Sequence, residues 1–179
     1  MLLSHEGPNL PGFGNFRKPQ PKDERAPVLL TDLVTAERIR VPLESTVKES
    51  LLRELVELVA RGDGIEDHEE LLRAVRDREA VLSTGIGHGV AIPHGKSSAV
   101  GSLRLSAGVT AAPVDFDALD GQPVQLFFLL VGPESAAGPH IKALSRISRI
   151  VRREEVRRRL LACRSAEEFL DALKEAEGA

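Results

Sequence analysis

The stretch Ser83-Thr84-Gly85-Ile86-Gly87-His88-Gly89-Val90-Ala91-Ile92-Pro93-His94-Gly95-Lys96 lies in the middle of the chain and organises the reading of everything around it. Glycines at 85, 87, 89 and 95 let the backbone turn tightly and approach a neighbouring group closely. Successive N–H groups along such a segment are able to cradle anionic oxygens. Gly95-Lys96-Ser97 resembles the end of a Walker A sequence, but Val90 stands where that motif needs glycine, and the spacing of a dinucleotide fingerprint is absent too. What the segment carries instead is a histidine, His94, between a proline and a glycine at the end of an apolar run. Pro93 fixes the backbone just before it and limits how far the imidazole can wander.

Outward from this segment the patterning alternates between helix and strand. Upstream, residues 38–43 alternate charged and apolar side chains, as a strand does. Thr46 followed by Glu49 reads as a capping box opening a helix through Leu51, Leu52, Leu55, Val56 and Val59, which Gly62 and Gly64 end. Asp67 with Glu70 opens a second helix, with Leu71, Leu72 and Val75 on one face. Downstream, residues 103–110 and 124–131 read as strands separated by the turn-rich Asp115-Phe116-Asp117-Ala118-Leu119-Asp120-Gly121. Three helices follow: one from near Pro139 through Ile150, one over residues 154–162, and one opened by the capping box Ser165 to Glu168. Strands and helices mixed at this spacing point to a sheet covered by helices. Residues 1–27, with five prolines and no apolar periodicity, read as a flexible extension ahead of one domain over residues 28–179.

Composition narrows the function classes. The 179 residues carry 24 Lys+Arg against 27 Asp+Glu, and the six Phe are the only aromatics besides five His. This balance gives no electrostatic footprint for nucleic acid, and without Trp or Tyr there is no obvious base-stacking platform. A single cysteine makes no internal disulfide and falls far short of a zinc-finger set. The longest apolar run, residues 126–131, is too short to span a bilayer. The expectation is a cytoplasmic globular protein with no membrane insertion.

A histidine is the residue expected where a phosphoryl group is carried and passed on. Neutral imidazole is available near neutral pH, is a competent nucleophile, and forms a P–N bond that the next acceptor readily cleaves. A histidine that ends a strand and hydrogen-bonds a carbonyl fits the same residues, and both readings of His94 stand on pattern alone.

Further residues carry a resemblance. Arg78-Glu79-Ala80-Val81-Leu82-Ser83-Thr84-Gly85-Ile86-Gly87, then Gly89-Val90-Ala91-Ile92-Pro93-His94-Gly95, resembles the signature of the enzyme IIA domains of the fructose–mannitol class in the bacterial phosphoenolpyruvate-dependent sugar phosphotransferase system. Pro113-Val114-Asp115-Phe116-Asp117-Ala118-Leu119-Asp120-Gly121-Gln122-Pro123-Val124 and Pro139-His140-Ile141-Lys142-Ala143-Leu144-Ser145 are similar to the same family. The single-domain layout is most similar to the nitrogen-regulatory branch, and no IIB-like or IIC-like segment is evident. The resemblance implies a three-layer α/β/α sandwich with a mixed β-sheet. It implies that His94 accepts a phosphoryl group from the carrier HPr, that His140 supports it, and that Arg78 neutralises the phosphoryl charge. It also implies onward transfer to a IIB cysteine, or a regulatory mark that tunes binding to a partner protein. Neither a metal nor a cofactor is implied, because the donor is already an activated phosphoramidate.

Three features invite other readings. His88 departs from the family, whose members often carry a small polar residue such as Asn there; with His94 and His140 it raises a zinc site, but the spacing is not that of a helical metal pair, and His88 reads as a loop residue near the site. Residues 140–159 hold eight Lys/Arg against two Glu, with Arg146, Arg149 and Arg153 at helical steps: a solvated amphipathic face, or a dock for an acidic partner. Cys163 reads as a half-buried helix residue, not a phosphocysteine, since no cradling loop surrounds it.

Overall fold

Apolar side chains on both faces of one long strand set the architecture. The computed structural model describes residues 27–62 and 64–178, with strands β1 (Ile39–Leu43), β2 (Gly85–Gly87), β3 (Val90–Ala91), β4 (His94–Lys96), β5 (Arg104–Val114) and β6 (Val124–Gly132). The α-helices are α1 (Lys48–Val59), α2 (His68–Val81), α3 (Ala137–Arg152), α4 (Glu154–Leu161) and α5 (Ala166–Gly178). In β6, Leu126, Phe128 and Leu130 enter the core under α3, α4 and α5, while Phe127, Leu129 and Val131 enter the core under α1 and α2. A strand buried on both faces reads as a continuous apolar run, which is why residues 124–131 stand out in the sequence.

The sheet runs β1-β5-β6-β3-β2, with β4 also on β6. It is mixed: β1 is parallel to β5, β5 antiparallel to β6, β3 and β4 parallel to β6, and β2 antiparallel to β3. The three-layer α/β/α sandwich is therefore the observed fold. Val90 pairs with Leu126 and His94 with Leu130, so β3 and β4 keep one register along β6 and are parted only by Ile92-Pro93, where proline has no N–H to give the ladder.

Most predicted elements are present, with instructive differences. The Thr46–Glu49 capping box does not form: α1 starts after Val47, which has extended backbone and no side-chain cap. Glu49 is drawn away by Arg76 of α2 into an ion pair. The other two caps are made, with Glu70 N–H donating to Asp67 Oδ1 at 2.8 Å and Glu168 N–H to Ser165 Oγ at 3.2 Å. Strand β5 runs four residues beyond the predicted end at 110, because a register shift between Val109 and Val114 carries it past the exposed Ala-Ala-Pro, a sequence that reads as a break. Cys163 lies between α4 and α5 rather than in a helix; it is half-buried, its Sγ donates to Arg159 O at 3.3 Å, and burial pushes its thiol pKa up.

The basic stripe has internal work. Arg146 Nε lies 2.6 Å from Glu177 Oε1, and Arg153 donates to the Ala176 carbonyl, which fastens α5 against α3. Glu177 also accepts from the N–H groups of Leu30 and Thr31 at 2.7 and 3.0 Å, tying the first described residues to the last helix. The expected extension, residues 1–27, lies outside the described residues except for Pro27. No helix among the described residues is long and apolar enough to cross a membrane.

Candidate functional site

Helix α2 packs so closely on β4 that a Cβ on Gly95 would stand 3.1 Å from Val75 N and Cγ2. Contact this tight favours glycine, since a Cβ would force Val75 to give by a few tenths of an ångström, and it delivers Arg78, nearly one turn past Val75, to His94 at the start of β4. Arg78 Nε–H donates to His94 Nε2 at 3.1 Å, and its Nη1–H to the Leu82 carbonyl at 3.0 Å. The guanidinium is thus held across the C-terminal end of α2 with its edge against the imidazole.

The other ring nitrogen fixes the tautomer. His94 Nδ1 lies 2.9 Å from the Ile92 carbonyl, which can only accept, so Nδ1 carries the proton and Nε2 the lone pair. The ring is half-buried. Burial first, and then the Arg78 guanidinium, push its pKa below the ordinary histidine value, against the opposing pull of the Ile92 carbonyl and the Glu79 carboxylate. The two open readings of His94 therefore coexist: one nitrogen bonds a carbonyl, and the other is left as a base.

His140, in the first turn of α3, is 2 % exposed, and its ring centroid lies 5.9 Å from that of His94 with an edge-on inclination of 65°. Its Nδ1 is buried and has no hydrogen-bond partner among the described residues. Its pKa is pushed down to about 4, by burial first and then by charge on His94 and Lys96. Lys96 follows His94 two residues along β4, its Nζ 3.6 Å from Glu134 Oε2. The structure thus brings His94, Arg78 and His140 into one cluster.

Because His140 is buried neutral and titrates near the usual value of about 6.5 when unfolded, its folded pKa is depressed. The associated stability is present above pH 6.5 and is lost as pH falls toward 4. Acidification from pH 7 to pH 5 is expected to cost about 2 kcal/mol through this group. Denaturant melts of wild type and His140→Leu at the two pH values measure it, and the variant should lose less.

The glycine segment folds as a hairpin. Three of its N–H groups are taken up within the fold: Gly85 N–H on Ser83 Oγ, His88 N–H on Asp120 Oδ2, and Ile92 N–H on the Thr84 carbonyl at 3.0 Å. His88 and Gly89, with φ of 56° and 72°, form the two-residue connection between β2 and β3. That conformation favours Asn-Gly, which explains why a small polar residue suits position 88. His88 is exposed there, and the β6 levels of Val90 and His94 are four residues, or about 13 Å, apart, so it does not sit beside His94. His88→Asn should relieve left-handed strain and raise stability by about 0.5 kcal/mol, measurable by thermal melting.

Pattern reading missed Glu79 and Lys48. Glu79 is 6 % exposed, accepts the Thr84 N–H at 3.1 Å and the Thr84 hydroxyl, and lies 2.9 Å from Lys48 Nζ. The signal was present: Glu79 continues the Leu71, Leu72, Val75 stripe of α2, and a carboxylate on a buried face must be partnered.

The family model described as "Phosphoenolpyruvate-dependent sugar phosphotransferase system, EIIA 2" matches residues 32–176. The chain belongs to that family. It is similar to the PTS system fructose-specific EIIABC component of Bacillus subtilis, 36% identical over 82% of this chain, and it spans only 23% of that protein. It is also similar to the nitrogen regulatory protein of Bradyrhizobium diazoefficiens, 37% identical over 80% of this chain and 94% of that protein. Among solved structures, the nitrogen regulatory protein IIA-Ntr of Neisseria meningitidis has a TM-score of 0.75 at 34% identity, over 80% of this chain and 97% of the other. This enzyme IIA family is a phosphotransferase component, and both sugar-transport and nitrogen-regulatory proteins are among the chain's relatives.

Proposed function

We propose that residues 28–179 form a phosphohistidine carrier in which His94 Nε2 takes a phosphoryl group from the phosphohistidine of HPr and passes it to a IIB cysteine. The observation that carries this reading is the proton arrangement of His94, with Nδ1–H on the Ile92 carbonyl and the Nε2 lone pair facing Arg78. In the transfer, the Nε2 lone pair forms the new N–P bond while the donor's N–P bond breaks and its electron pair returns to the donor imidazole. No proton has to move. The positive charge that His94 acquires is held by the Ile92 carbonyl, and the Arg78 Nε–H shifts from Nε2 to a phosphoryl oxygen. Catalysis then consists of positioning and charge dispersal, which is what phosphoryl transfer requires from a protein. His140, neutral and with a buried nitrogen that has no partner among the described residues, supplies a further hydrogen-bonding group beside the phosphoryl site. In the onward step a thiolate attacks phosphorus and the N–P electron pair returns to Nε2. This reading puts the chain in the cytoplasm with its donor.

A second reading, in which the phosphorylation state of His94 controls binding to regulatory protein partners, is favoured by the similarity to nitrogen regulatory proteins over nearly their whole length. Both readings use the same acceptor. Incubation with phosphoenolpyruvate, enzyme I and HPr, followed by intact mass, should show a gain of one phosphoryl group; no gain would sink the proposal. Adding a IIB domain then separates the readings, since onward transfer to its cysteine marks the sugar route.

A further inference from the structure

We propose that the network formed by half-buried Lys48 with buried Glu79 and Thr84 is the positioning device that sets the tautomer of His94, so that the consecutive residues Arg78 and Glu79 clamp the two ring nitrogens from opposite sides. The inference rests on His94 being the phosphoryl acceptor. Arg78 reaches Nε2 directly. Glu79 reaches Nδ1 through the backbone. Both of its oxygens accept the Thr84 N–H, and one accepts the Thr84 hydroxyl. The Thr84 carbonyl in turn accepts the Ile92 N–H at 3.0 Å, and the Ile92 carbonyl accepts His94 Nδ1–H at 2.9 Å. Every link between the carboxylate and the imidazole is a hydrogen bond or a single residue of backbone.

Lys48 completes the device. Its Nζ lies 2.9 Å from Glu79 Oε1 and also bonds the Phe116 carbonyl at 3.0 Å and Asp117 Oδ2 at 3.2 Å, while standing 4.7 Å over the Phe116 ring. The ammonium therefore joins α1, the end of α2 and the loop after β5 at one point. Taking the Glu79 carboxylate out of water is costly even beside the half-buried Lys48 ammonium, and well-packed apolar side chains in place of such a pair are often as stable or more so. A carboxylate kept on the buried stripe of α2 is better explained by the geometry it imposes than by stability. That geometry is directional: the acceptor-only carboxylate orients Thr84, whose hydroxyl and N–H both point at it, and so aims the Thr84 carbonyl at Ile92. If the Ile92 peptide rotates, Nδ1 loses its acceptor, the other tautomer becomes accessible, and Nε2 becomes a donor directed at Arg78 instead of a nucleophile.

The test combines nitrogen NMR of histidine-labelled, unphosphorylated protein with phosphoryl uptake from phospho-HPr. Wild type should show His94 as the pure Nδ1–H tautomer. Glu79→Gln, and the double variant Lys48→Met/Glu79→Gln that removes both charges together, should show a mixture of tautomers and uptake slowed about 10- to 100-fold. Thr84→Val should do the same, whereas Thr84→Ser, which keeps the hydroxyl, recovers the wild-type tautomer. Should Glu79→Gln fail to fold, the double variant and Thr84→Val decide. Variants with the wild-type tautomer overturn the proposal, whether their uptake is unchanged or slowed, because the network would then act only on stability or by another route. The tautomer is read without any donor, so a wild-type chain that takes up no phosphoryl group refutes the carrier function while leaving this measurement decisive for the network.

Discussion

His94→Gln is expected to reduce phosphoryl uptake from phospho-HPr by at least about 10⁴-fold, to below detection in intact mass. Glutamine fills much of the same space, and its amide can still donate to the Ile92 carbonyl, so the fold should survive, with a melting temperature near that of wild type. What is lost is the nitrogen lone pair, since an amide nitrogen is not a nucleophile. Neither of the other histidines near this end of the sequence pattern can substitute. His140 is buried, and His88 sits on the exposed β2–β3 turn, with its backbone bound to Asp120. Uptake by wild type should persist into the acid range where an ordinary histidine is already half protonated, because burial and Arg78 hold the His94 pKa low.

Arg78→Leu is expected to slow uptake by about 10²- to 10³-fold, corresponding to roughly 3–4 kcal/mol of lost transition-state stabilisation. The guanidinium already contacts His94 Nε2, the proposed acceptor, so it needs only a small shift to meet the phosphoryl oxygens as charge spreads over them. Arg78→Lys keeps the charge but not the planar fork or the bond to the Leu82 carbonyl, and should recover only part of the rate. The same substitutions have a signature in the pH profile. Arg78 lowers the His94 pKa, so its loss raises that pKa and moves the acid limb of uptake to higher pH. Rates measured across pH for the three proteins check both the magnitude and the sign.

The sequence made some of this legible for definite physical reasons. Strand β6 and the apolar faces of α1 and α2 could be read because burial on one or two faces leaves a periodic mark. The end of β5 and the start of α1 could not. The first depends on a bulge that carries the strand through Ala-Ala-Pro, and the second on a cross-helix ion pair that takes Glu49 from its cap. The glycine segment suggested an anion cradle, yet it folds as a hairpin that takes up the N–H groups of Gly85, His88 and Ile92, and its glycines serve close packing and a left-handed turn. The cluster itself joins residues distant in the chain, and no period brings His140 to His94; the family resemblance supplied that expectation. Glu79 was readable in principle as a charge on an apolar stripe, but its partner Lys48 comes from the opening of another helix, a contact that only the folded chain reveals.

The central claim concerns one atom. Phosphorylating the chain with phosphoenolpyruvate, enzyme I and HPr and locating the N–P bond by phosphorus–nitrogen NMR tests it most directly. A single phosphoryl group on His94 Nε2, with the Nδ1 proton still hydrogen-bonded, is the predicted result. A phosphoryl group on His94 Nδ1, on His140 or His88, or on no histidine at all would contradict it.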